Sequence, residues 1–488
     1  MEKKTNTVVV TVAIFIATFM TAIEGTIVST AMPTIVSDLH GLNIMNWVVS
    51  IFLLMTAVST PVYGKLADSL GRKPIFIFGL IVFIVGSALC GLAQNMVSLI
   101  IFRVIQGLGA GAIQPVSFTI IADIYPIEKR AKVLGFNGSA WGIASILAPL
   151  LGGFIVEQFS WHWVFYLNLP IGLLTIVLIM VFLREPRRKM NTIIDYKGTS
   201  LLVIFLVVIM LLLQELGQIQ NWFLPVILVL LAIGSGLLFW HVEQNSQDPI
   251  LPVSILKNKQ FLGINVVTLL ISGFLIGFEF YLPIWMQGIL GEPATAAGFA
   301  VTPSSILWIL GSFVTGHLLT KISIQKILYL SLSFLLVGNL LLIVVPESTP
   351  FLFFFLIAAL CGFGFGTAIT ATAVASQTVV SKENIGVATS FNSLVKYLGQ
   401  TMMVSIFGIV FNMYVAKGLD GQPNLTQAMM NKVVNSADAK KMDPTLLAPL
   451  QNILFSALKG VFYASIVVII IAFFVNLMNR AQRESKLG

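Results

Sequence analysis

Charge is scarce in this chain. Asp, Glu, Lys and Arg make up 10% of its 488 residues, against about 25% in a typical soluble domain. That shortfall excludes an ordinary water-solvated surface. Cysteine is scarcer still. Cys90 and Cys361 both fall inside long apolar runs, which excludes a disulfide framework and leaves packing as their role. The four histidines, His40, His162, His241 and His317, are scattered at run ends or in connectors, with no metal-spaced pair. No Gly-Lys-Ser/Thr phosphate loop occurs, so ATP is not expected as the direct driver. No nucleophile–base constellation appears either. The chain is not expected to be an enzyme, and neither cofactor nor metal is expected.

What is present is apolar length: 57% of residues are hydrophobic. A bilayer-spanning helix needs about 20 mostly apolar residues. Fourteen such runs are expected to be helices, at 8–30, 44–63, 75–93, 97–121, 133–156, 163–183, 199–214, 223–240, 261–284, 299–319, 326–345, 350–373, 386–412 and 458–478. Their continuous apolar character excludes barrel strands, which would alternate. The first run is too long for the apolar core of a cleavable signal and continues through Glu24 and Thr26 to Pro33.

The net charge of +8 follows the positive-inside rule and does not indicate nucleic acid. With the N-terminus inside, the inner segments hold twenty-one of the 28 Lys and Arg, and Arg103 and Lys396 lie within helices. Lys417, Lys432, Lys440, Lys441 and Lys459 sit in or near one long outer segment, and the short outer loops have none. Both termini are therefore expected inside. The implied partners are membrane lipids and a small-molecule substrate.

The chain resembles itself at an offset of 255. Gly107, Gly109 and Gly111 match Gly362, Gly364 and Gly366; Glu128 matches Glu383; Phe136-Asn137 matches Phe391-Asn392. Parallel six-helix halves with a cavity between them form a transporter plan. The expected division is a first bundle at 1–185, an inserted helix pair with its connectors at 186–258, and a second bundle at 259–488. The outer segment at about 413–457 contains "LTQAMMNKVVNSA" and "DPTLLAPLQNILFSALKG", whose apolar spacing predicts short amphipathic helices over the outer mouth.

The connector "GKLADSLGRKP", residues 64–74, is expected to be a gate. Gly64 and Gly71 permit tight turns. Asp68 can accept from a neighbouring helix N-terminus, and Arg72 can pair with Asp123. Such a loop would latch the two halves and release them as they rock. In the fifth run, Gly138, Gly142, Gly152 and Gly153 allow close helix approach, and Pro149 permits a kink.

These stretches resemble the major facilitator superfamily, and more of the chain is similar to its fourteen-helix drug:proton antiporter branch. The carrying motifs are the 64–74 connector, "IEGTIVSTAMP" with Glu24 where Asp is usual, "RVIQGLGAGA" with Arg103, Gln106 and Gly107, and "GSAWGIASILAPLLGG" with Ala148 where Gly is usual. "WHWVFYLNLPIG", "DYKGTSLL" with Asp195 and Gly198, and "NSLVKYLGQ" with Lys396 complete the set. The resemblance implies export of lipophilic compounds driven by inward proton flow in a bacterial inner membrane, by a monomer. It implies a coupling or substrate role for Glu24, an inner-gate role for Asp68 and Arg72, and proton transfer or cavity electrostatics for Arg103.

A mid-bilayer charge costs at least about 2.5–3.5 kcal/mol on insertion scales, so the few that occur need partners or a wet cavity. Those few are Glu24, Arg103, Glu279 and Lys396. Glu24 and Glu279 fall in the first helix of each half. Desolvation disfavours a carboxylate, so such an acid can take a proton from one side and yield it on the other. Proton coupling is expected of Glu24, Glu279 and Arg103. The substrate cavity is expected to hold Glu24, Gln106, Phe274, Phe278, Tyr281, Trp285, Asn392 and Lys396. The four aromatics share one helical face, and Glu279 lies one residue off it. Glu24→Gln is expected to abolish proton-driven exchange while leaving insertion and folding largely intact. Two acids balanced by Arg103 and Lys396 do not make a strongly negative cavity. An exporter of an anionic or lipid-like metabolite therefore stays open as a reading, as does a scaffold or sensor without turnover.

Overall fold

A computed structural model of the chain describes residues 5–185, 196–216, 223–246, 253–381 and 385–484. Among them the chain is helical, without strands. The first series is α1 (Thr7–Leu39), α2 (Met45–Leu70), α3 (Arg72–Gly91), α4 (Met96–Ile124), α5 (Ile127–Gln158), α6 (His162–Tyr166) and α7 (Asn168–Phe182). Two further helices follow, α8 (Tyr196–Leu216) and α9 (Phe223–Asn245), then the short α10 (Val253–Leu256). The last series is α11 (Lys259–Gly288), α12 (Ala294–Leu318), α13 (Ile324–Val344), α14 (Phe351–Thr378), α15 (Ile385–Leu419), α16 (Gln427–Val433), α17 (Ser436–Ala439) and α18 (Pro444–Glu484). Helices follow from the solvent: without water in the hydrocarbon core, each N–H must find a carbonyl in its own segment.

Thirteen stretches among the described residues are long and apolar enough to span a bilayer. One of them joins α6 and α7. The remaining expected run corresponds to α8, whose apolar stretch, Lys197–Ile209, is shorter. Asp195, expected at the start of the inserted pair, lies outside the described residues.

Successive spanning helices alternate in direction. α1 begins and α18 ends at one face: Asn6 N donates to Phe182 O at the end of α7 (3.3 Å), and Asn479 packs against Gly263 near the start of α11. The α2–α3 and α4–α5 connectors, with Arg72, Lys73 and Lys129, lie there too. This is the basic face; the other is the far face.

α1–α7 pack on one another, as do α11–α18, while α8 pairs with α9 and leans on α2 and α15. The 255-residue offset is a packing equivalence. A Cβ on Gly107 or Gly111 would strike Phe52 O (2.6 Å) or Thr56 O (2.7 Å) of α2, and one on Gly109 would strike Gly79 O of α3 (2.7 Å). In the second half, Gly362 and Gly366 press on Ser304 and Trp308 of α12, and Gly364 on Ser331 and Leu335 of α13. Small residues thus let α4 and α14 sit backbone-close between equivalent neighbours. Glu24 and Glu279 stand at the same offset.

Two sequence expectations are corrected here. Gly64 makes no turn, because α2 runs through it to Leu70; the turn is at Gly71, whose φ of 103° suits glycine. In the outer segment, "LTQAMMNKVVNSA" forms the short α16 and the start of α17, but "DPTLLAPLQNILFSALKG" is no separate helix. Its apolar periodicity runs into the last span, so α18 is one helix of 41 residues with Pro449 inside its second turn.

Candidate functional site

The two bundles meet along α5–α12, α2–α15 and α1–α11. Between them, at mid-depth, lies a cavity with about 1120 Å³ of open space, part of it continuous with solvent. Its charged lining residues are Glu279 of α11 and Lys396 of α15. Hydroxyls and amides, including Thr21, Thr26, Thr56, Ser145, Gln114 and Gln400, give it a mixed polar surface. Lys396 Nζ lies 5.5 Å from the Trp141 ring centroid and 6.0 Å from that of Trp308, in reach of cation–π attraction. Glu279 and Lys396 face each other electrostatically, yet no ion pair within 4 Å joins them among the described residues.

The far side of this cavity is sealed. On α5 and α12, a Cβ at Gly298 would run into Pro149 O, and one at Gly153 into Thr295. Ser305 Oγ donates to Ser145 O (2.6 Å), and Glu157 accepts from Thr295 N and Oγ1, both at 2.7 Å. Tyr281 Oη donates to Asn46 Oδ1 (2.9 Å), and Asn412 Nδ2 to Asn43 O (2.7 Å). The outer segment adds three bonds to the first bundle: Ser37 Oγ to Asp438 (2.5 Å), Leu42 N to Asn431 (3.1 Å) and Asn435 Nδ2 to Thr34 (2.8 Å). Burial pushes the Asp438 carboxyl up, but the bonds from Ser37 and Lys441 and the charge of Lys432 outweigh it. They hold the group below the ordinary carboxylate range.

Toward the basic face the bundles part. Gly142 still meets Ile309 at 3.2 Å, whereas a Cβ on Gly138 or Gly316 would meet nothing within 4 Å. The bonds from Ser305, Thr295, Tyr281, Asn412 and Gln287 to the first bundle all sit at cavity level or beyond it toward the far face. On the α5–α12 side the cavity therefore opens toward the basic face.

Glu24 is not on the cavity wall. Its neighbours Gly25 and Thr26 line the cavity, but Glu24 points back into the first bundle and is fully buried. There it forms a hydrogen-bonded ion pair with Arg103 Nη1 and accepts from Asn168 Nδ2 at 2.7 Å. Arg103 also donates to Val48 O and Gln106 Oε1, both at 2.9 Å, and lies 4.1 Å from the Phe52 ring centroid. Gln106 thus belongs to this dry network, not to the cavity. Asn168 completes the cage and was missed; the signal was an Asn inside an otherwise apolar run.

The four aromatics of α11 are also off the wall. Phe274 and Phe278 pack on Phe365, and Trp285 on Phe354, Phe455 and Phe462, all within the second bundle. Tyr281 packs on Phe411 and serves the far-face seal. A helix turns about 100° per residue. The wall therefore takes Leu275, Ile276 and Glu279, and the one-residue step puts the aromatic stripe inside. Asn392 Nδ2 donates to Asn265 and Thr268 (3.0 Å each), below the cavity, inside the second bundle. Of the expected cavity residues, the wall holds Lys396, together with Glu279. Trp141, Trp308 and Gln400 complete it without having been anticipated.

At the basic face, Arg72 Nε lies 3.0 Å from Asp123. Glu185 accepts from Arg72 N (2.7 Å) and Lys73 N (2.9 Å), capping α3. Lys73 Nζ donates to Met180 O and Leu183 O at the end of α7. These bonds lie within the first bundle. The Asp68 side chain lies outside what the structure describes.

Two bundles around a central cavity, open to one face, define a membrane transporter rather than an enzyme. The Major Facilitator Superfamily profile matches residues 14–404, and the chain belongs to that family. It is 37% identical over 410 residues to multidrug resistance protein 3 of Bacillus subtilis, covering 84% of this chain and 80% of that one. It is 32% identical to the multidrug efflux pump SdrM of Staphylococcus aureus, over 86% of this chain and 92% of that protein. Among solved structures, a bacterial homologue of the human lysosomal transporter Spinster, inward-facing and occupied, superposes with a TM-score of 0.70. That match covers 97% and 96% of the two chains at 14% identity, a likeness of fold.

Proposed function

We propose that this protein is a proton-driven exporter of lipophilic, amphipathic compounds that works by alternating access in a bacterial inner membrane. The basic face is cytoplasmic under the positive-inside rule, with both termini there and fourteen crossings once α8 is counted. The units that move are the bundles at 1–185 and 259–488, with 186–258 as an inserted pair. The protein acts as a monomer, with the proton gradient as its energy source and no cofactor. The named efflux activity of its Bacillus and Staphylococcus relatives supports the export reading.

The observation that carries the proposal is the cavity itself: sealed at the far face, parted between α5 and α12 toward the basic face, and lined by Glu279, which has no ion pair within 4 Å among the described residues. Glu279 is the exchange group. Protonated, it releases a cationic group; ionised, it holds one, so proton and substrate exclude each other. Glu24, one helical step behind the wall, serves as the partner of Arg103. A proton reaches Glu24 only when that pair parts. Purified protein in proteoliposomes with an imposed pH gradient tests the reading. Dye export should follow the gradient and collapse with a protonophore, and Glu279→Gln should lower gradient-driven export at least tenfold. Export that ignores the gradient would overturn it.

A further inference from the structure

We propose that the cavity selects molecules carrying both charges: zwitterionic amphiphiles with an anionic group at Lys396 and an ammonium at Glu279. This rests on the transport reading and names its substrate class. Glu279 and Lys396 are the charged groups on the cavity wall. They act on each other electrostatically, yet among the described residues no ion pair within 4 Å joins them, so each keeps its hydrogen-bonding capacity for a ligand. The Glu24–Arg103 pair is neutral in sum and sits behind the wall, so it does not break the balance. A cation alone would satisfy Glu279 but leave Lys396 repelling it, and an anion alone would meet the converse. A zwitterion satisfies both. Trp141 and Trp308 beside Lys396, with Phe52, Leu275 and Ile276 on the same walls, offer the apolar surface for its body.

Three compounds with one ring system separate the possibilities: naphthylalanine (zwitterion), naphthylethylammonium (cation) and naphthylpropionate (anion). Binding is measured by titration calorimetry on full-length protein in lipid nanodiscs at neutral pH, without a gradient. Naphthylalanine should bind about tenfold or more tightly than either analogue, as expected for one extra desolvated charge contact. Lys396→Gln should make the zwitterion and the ammonium compound equal. Glu279→Gln should make the zwitterion and the propionate equal, and Lys396→Arg should keep the preference. The proposal is overturned if the ammonium compound binds wild type as tightly as the zwitterion, or if Lys396→Arg loses the preference as Lys396→Gln does. It is also overturned if none of the three binds a protein that exports other compounds. A zwitterion preference in a protein without gradient-driven flux would uphold this site and remove the exporter reading alone.

Discussion

Two acids at equivalent places in the two halves have different surroundings, and that difference sets what each can do. Glu24 accepts from Arg103 and Asn168 in a dry cage. Removing one partner of a buried pair strands the other and costs about 3–5 kcal/mol, whereas replacing both with apolar residues is often neutral. Glu24→Gln should therefore destabilise the protein by about that amount in detergent thermal unfolding. The Glu24→Gln/Arg103→Met double variant should recover most of the loss. The Arg103–Asn168 cage thus argues against the sequence-based expectation that Glu24→Gln leaves folding largely intact. A single variant as stable as wild type would show that Arg103 has another partner. The sequence made it legible that four charges lie at membrane depth. It did not reveal which way each points, because direction depends on helix rotation. Leu275 and Glu279 share a wall while Phe278 does not, and one residue of phase separates them.

At the scale of elements, the far-face seal has three parts: a glycine-smooth contact between α5 and α12, the Tyr281 and Asn412 bonds from α11 and α15, and a polar clasp from α16 and α17. Gly298 lies against the Pro149 carbonyl, so Gly298→Val should wedge the contact apart. Spin labels across the far face should then show a longer distance than in wild type; an unchanged distribution would mean that the helices yield elsewhere. The clasp at Asp438 has a worked pH sign. Its carboxyl is held below the free range in the sealed form, and the free value is about 3.9. Its contribution is therefore complete above about pH 4 and fades only as pH falls through the lowered value. The far-face distance should not change between pH 8 and about pH 5.5 in wild type, while Asp438→Asn should open it at every pH. The glycine spacing that joins α4 to α2 and α3, and α14 to α12 and α13, was legible because close approach demands glycine. That Pro444 starts the last span was not, since amphipathic spacing does not distinguish a separate surface helix from the end of a longer one.

For the whole molecule, the orientation in the membrane sets the direction of exchange. With Cys90 and Cys361 replaced by alanine, single cysteines at Asp420 (far face) and Ser323 (basic face) report sidedness. A membrane-impermeant maleimide should label position 420 in intact cells and position 323 only after lysis. The reverse pattern would invert the topology. The gross plan was legible in the sequence because bilayer thickness and loop charge act on whole segments. The open face was not, since the same sequence must form both ends of the cycle.

Exchange depends most on Glu279 giving up a proton when substrate enters the cavity. Proton release can be read with a pH dye in weakly buffered, purified protein on addition of a transported cation or zwitterion. Wild type and Glu24→Gln, if still folded, should both release protons, and Glu279→Gln should release none. Undiminished release from Glu279→Gln would contradict the account.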